Sequence, residues 1–124
     1  MNEIIIIIAL TLAGEAIGEG VEGQRAVASV IWNRAKGDIH KLKEVCKAPA
    51  QFTCWSDGKN LEALKGAVGW DECLTIAKAM VNGEFEPMTE ATHFYDVSIA
   101  PPYWATGMEV TEFIGDFIML KENK

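Results

Sequence analysis

From Ile4 to Ala13 the chain is apolar except for Thr11 and carries no charge. A stretch this apolar predicts a helix buried in a core rather than an amphipathic surface helix. Glycines at 14, 18 and 20 mark its end, so the first helix is predicted over about Glu3 to Ala16. The run is far short of the about 20 apolar residues that span a bilayer. It is preceded by Met1-Asn2-Glu3, acidic where a secretory leader is basic. Nothing in the sequence is therefore expected to export the protein by itself.

Glu15 closes this run within Gly14-Glu15-Ala16-Ile17-Gly18-Glu19-Gly20. An acid there meets the negative end of the helix dipole and apolar surroundings, and both disfavour the carboxylate. A carboxylic acid that keeps its proton near neutral pH is what glycosidic-bond cleavage requires.

The 124 residues suit a single catalytic domain, 1–124, with a real core, and 49% hydrophobic against 23% charged residues excludes wholesale disorder. Net charge is −7 and the eleven Lys and Arg are scattered. That argues against a nucleic acid, an anionic membrane surface or a polyanionic ligand held by charge. A glycan gripped by hydrogen bonds and aromatic faces fits better. His40 and His93 are the only histidines and no CxxC pair exists, so neither a metal nor a cofactor is expected. Cys46, Cys54 and Cys73 leave an odd count: a Cys46–Cys54 bridge outside the cytoplasm, or three buried free thiols.

A second helix is predicted from near Val21 to near Gly37, with Glu22, Arg25, Ser29, Asn33 and Lys36 as a solvent stripe and Val27, Val30 and Ile31 opposite. Arg34 falls on the apolar face, where it must be ion-paired or point into a cleft. Glu19 is expected to cap this helix, and Glu22 to be solvated surface. Ile39 to Gly58 reads as a loop. Helix resumes at about Leu61, with Leu61, Leu64 and Val68 as one apolar ladder and Trp70, Leu74, Ala77 and Val81 as another, kinked at Gly69 and stopped at Asn82-Gly83. His93-Phe94-Tyr95 and Phe113 to Leu120 are β-like, separated by the turn-rich Pro101-Pro102-Tyr103-Trp104. The expected architecture is α+β and mainly helical, with a small β-lobe and a cleft between the lobes.

Four features could line that cleft: Glu15, the loop Gln51-Phe52-Thr53-Cys54-Trp55, Phe94-Tyr95 and Tyr103-Trp104. Taken in chain order, Gly14 to Glu19, Glu22 to Arg34, Gln51 to Trp55, Thr92 to Tyr95 and Pro101 to Ala105 together resemble the bacterial cell-wall hydrolase family, which includes the spore-cortex-lytic enzymes and similar phage proteins. The resemblance implies a lysozyme-like helical lobe with a small β-lobe. It also implies cleavage of peptidoglycan glycan strands, with Glu15 as catalytic acid. Two positions depart from the family pattern: Tyr95-Asp96, where a His often follows, and Ile114-Gly115-Asp116-Phe117, where the family often ends Ile-Gly-x-His.

The expected reaction is that of a lytic transglycosylase cutting between N-acetylmuramic acid and N-acetylglucosamine to leave 1,6-anhydro ends. Gln51 and Thr53 would hold N-acetyl groups, Tyr95 would orient the reacting sugar, and Phe52, Trp55 and Trp104 would supply aromatic faces. The expected setting is a monomeric phage endolysin made in the cytoplasm and released to the wall by a membrane-permeabilising protein. Three rivals stand beside it. A hydrolytic muramidase would use Glu15 with Asp57 as second carboxylate. A cysteine peptidase would use Cys54 and His93. A glycan-binding module would do no chemistry.

Overall fold

A computed structural model describes residues 2–48, 52, 55 and 60–122. Helix α1 spans Asn2–Ala16, as its apolar run predicts, and every residue from Ile7 to Ala13 is buried. It packs against all the other helices of the described chain: α2 (Gly20–Arg34), α3 (Leu42–Lys47) and α4 (Trp70–Val81). Thr11 is tolerated at 0% exposure because its hydroxyl donates to the Ile7 carbonyl at 2.8 Å. By length and composition alone Glu3–Arg34 would also pass for a membrane span. Its apolar residues from Ile7 to Ala13 and from Ala26 to Ile31 are instead enclosed within the protein.

Helix α2 differs from its sequence pattern in an instructive way. The middle of its polar stripe, Arg25, Ser29 and Asn33, is not turned to solvent but covered by the connector that follows α4. Ser29 is buried, donates to the Arg25 carbonyl and accepts from the Met88 N–H at 2.9 Å. Asn33 donates to the carbonyls of Thr89 and Ala91, both at 2.8 Å. Arg25 donates to the Glu86 carbonyl and lies over the Phe85 ring. Glu22 is exposed, as expected. Glu19 takes the N-cap position of α2, yet its side chain makes no capping hydrogen bond; its carboxylate lies against the Gly115 turn.

The segment after α2 holds a helix where a loop was expected. Leu42 and Cys46 of α3 are buried beneath α1. From Leu61 to Gly66 the backbone is 3-10 rather than α, and Val68, placed by its spacing on an apolar ladder, is 97% exposed. Gly69, at φ +101, reverses the chain into α4, whose Trp70, Cys73, Ile76, Ala77, Met80 and Val81 are buried. Few residues other than glycine adopt that φ without strain.

The β-lobe is a three-stranded antiparallel sheet in the order β1-β3-β2, formed by His93–Asp96, Glu109–Ile114 and Phe117–Lys121. The run read as β-like from Phe113 to Leu120 is a tight hairpin turning at Gly115-Asp116, with Ile114 opposite Phe117. Central β3 turns its buried Phe117 and Met119 into the core shared with the helices, whereas edge strand β2 leaves Phe113 and Val110 exposed. The molecule is thus mainly helical α+β, with a cleft where the sheet meets the ends of α1 and α2.

Candidate functional site

The cleft encloses about 600 Å³, within the range of ligand-binding clefts. Glu15 reaches it from the last turn of α1, and Arg34 from the last residue of α2. The facing wall comes from β1 (His93, Phe94, Tyr95, Asp96) and from the β1–β2 connection (Ile99, Pro102, Tyr103, Trp104), over a floor at Phe117. Two helix ends and one strand edge therefore converge on a single space.

Arg34 does what an arginine on an apolar helix face must. Its Nε donates to the Thr92 carbonyl at 2.6 Å, and its guanidinium lies 5.5 Å from the centre of the Phe52 ring. Partial burial lowers its proton affinity, but a guanidinium remains charged at any physiological pH. That positive charge, together with burial as the larger cause, holds the neighbouring His93 below the ordinary imidazole range. The wall therefore presents a neutral imidazole at neutral pH. Thr92 Oγ1 lies 3.0 Å from His93 Nδ1, and the ring tilts against Trp104 at 5.3 Å between centroids. Trp104 meets Tyr95 edge-on at 6.2 Å, so these three side chains brace one another.

Of the residues expected at the site, Glu15, Tyr95 and Trp104 share the cleft. Phe52 does not. It is 3% exposed and packs beneath Arg34 and beside Phe94, in the core rather than on the cleft surface. Trp55 is also an anchor: its indole N–H donates to Thr11 Oγ1 at 2.9 Å, Lys47 lies over its ring, and it packs on the core. Gln51, Thr53, Cys54 and Asp57 lie outside the described residues. Cys46 and Cys73 are buried free thiols, pushed up to about 12 and about 11 by burial.

Ile99 and Phe117 line the cleft unforeseen, and Asp96 is the charged cleft residue that sequence reasoning missed. It accepts a hydrogen bond from the Ser98 N–H at 2.8 Å, which holds its carboxyl below the usual range and keeps it ionised. The signal was an Asx turn, Asp96-Val97-Ser98, at the end of a strand. That it lines the same cleft as Glu15 depends on tertiary pairing that no local pattern encodes.

Residues 18–119 match the family model described as Cell Wall Hydrolase. The match begins after Glu15, so the role of that residue rests on the surrounding motif and on its place in the cleft. The spore cortex-lytic enzyme of Bacillus subtilis (strain 168) is 30% identical over 128 residues, covering 94% of this chain. The chain spans 37% of that relative's length. No solved structure matches the chain.

Proposed function

The chain belongs to the cell wall hydrolase family, and from that premise we propose that it cleaves the glycan strands of peptidoglycan as a lytic transglycosylase. The observation that carries the proposal is the entry of Glu15, from the last turn of a buried helix, into a cleft whose opposite wall is aromatic. Glu15 protonates the oxygen bridging N-acetylmuramic acid to N-acetylglucosamine as the oxocarbenium-like transition state develops. The leaving sugar departs with that proton. The same carboxylate then takes the proton of the muramic 6-hydroxyl, whose oxygen closes onto C1 to give a 1,6-anhydro end. One carboxyl group serves both steps because the nucleophile belongs to the substrate.

Tyr95 and Trp104 orient the reacting sugar, and Gln51 and Thr53 hold N-acetyl groups. Phe52 and Trp55 act from beneath by anchoring the cleft wall. The protein works as a monomer, without a cofactor, as a phage endolysin that reaches the wall through a separately permeabilised membrane. Incubation with purified sacculi tests the enzymatic reading: soluble glycan fragments are expected. Binding without release would leave only a glycan-binding module.

One observation favours a second reading. An ionised Asp96 lines the same cleft as Glu15, and a hydrolytic muramidase needs a second carboxylate in its cleft. In that mechanism Glu15 is the acid, and Asp96, alongside the Asp57 expected from sequence, is a candidate to activate water or stabilise the oxocarbenium ion. The products differ by one water.

A further inference from the structure

From Val97 to Met108 the chain contains no Asp, Glu, Lys or Arg, although 23% of the whole is charged. This uncharged segment forms the outer lip of the cleft and exposes apolar side chains. Ile99 is 52% exposed and Tyr103 is 90% exposed, and both line the cleft beside Pro102. Tyr103 is held in place by its setting. Pro102 precedes it in a fixed extended conformation, residues Tyr103–Ala105 form a 3-10 turn, and the neighbouring Trp104 is locked against His93 and Tyr95. An aromatic ring so exposed contributes little to the fold, and its braced backbone at the cleft mouth presents a preorganised face to a ligand.

We propose that Tyr103, with Ile99 and Pro102, is a distal stacking subsite for a sugar ring further along the strand whose cleavage is proposed above. Three features select this occupant. The lip is continuous with the cleft, so a strand running through the site must cross it. The absence of charge suits a neutral pyranose face and offers no grip to a phosphate or an anionic headgroup. A flat, rigid ring loses little entropy on stacking against the C–H face of a sugar. The subsite therefore makes the protein prefer long strands to short ones.

The test uses Glu15→Gln protein, which isolates binding from turnover, with Tyr103→Ala added. Affinity for insoluble sacculi should fall about three- to tenfold, more than affinity for a soluble tetrasaccharide, and Tyr103→Trp should restore it. At 90% exposure the Tyr103 side chain can be removed without threatening the fold. Unchanged sacculus affinity overturns the proposal, as does equal weakening on both ligands. Tyr103-dependent binding to neutral vesicles or self-association, with sacculus binding intact, assigns the lip to a membrane or to a second copy and equally overturns it. The cleavage reading fails separately: wild-type protein that binds sacculi through Tyr103 but releases no fragments keeps the subsite and loses the enzyme.

Discussion

Glu15 and Arg34 enter the cleft from helices whose neighbouring turns are buried, whereas Tyr95, Asp96, Tyr103 and Trp104 enter from a strand edge and a connection that are half-buried or exposed. The helical wall is fixed by α1, which has no solvent face through its middle and so cannot shift without disturbing α2, α3 and α4. The β wall is fixed by side-chain bracing among His93, Tyr95 and Trp104 and by a single central strand. A proton-transferring group must be held within a fraction of an ångström, while a stacking surface tolerates more play. Under the proposed mechanism, proton transfer falls to the half fixed by deep burial and sugar contact to the half fixed by edge packing.

The sharpest challenge to this division is Glu15→Gln. It should keep the fold and lose about 10²- to 10⁴-fold in lysis of permeabilised Gram-negative cells. Stability should divide along the same line. Leu12→Ala, in the buried middle of α1, should cost about 2–5 kcal/mol in denaturant unfolding. Phe113→Ala, on the exposed edge of the sheet, should stay within about 0.5 kcal/mol. Comparable losses at the two positions would erase the contrast between the halves.

Asp96 sharpens the comparison because it sets a second carboxylate on the contact wall. Asp96→Asn should lose less lytic activity than the roughly 100-fold that marks an acid–base group; a larger loss would move chemistry onto the β wall and favour hydrolysis. His93 gives a smaller effect. Its folded form holds a proton less readily than the unfolded chain, so acidification through the window below about pH 6.5 protonates the unfolded state first and lowers stability. Melting curves of His93→Gln should therefore fall less steeply with acid than those of the wild type. The least change is expected from thiol alkylation under native conditions, since Cys46 and Cys73 are buried and held protonated at about 12 and about 11. Mass analysis should find neither modified.

Helix α1 was legible because a long apolar run without a charge admits one solution. Glu15 followed from that run, since an acid at its end has few roles. Elsewhere local pattern was ambiguous for physical reasons. Ser29 and Asn33 recur at the period of a solvent stripe, but a polar side chain that bonds to a covering backbone has the same spacing as one that bonds to water. Val68 fits an apolar ladder only if the helix is continuous, and the turn at Gly69 takes it out of register. Phe52 and Trp55 in a loop could plug the core or face a ligand, and only the positions of Arg34 and Thr11 decide between those uses. Asp96 was invisible as a site residue because its relation to Glu15 exists only across the lobes.

The most direct measurement is the mass of the muropeptides released from purified sacculi by the wild-type protein and by Glu15→Gln. Anhydro-muramic ends, lacking the elements of water, from the wild type and none from the variant are predicted. Reducing ends carrying an added water, or undiminished release by the variant, would contradict an account in which Glu15 serves a nucleophile supplied by the sugar.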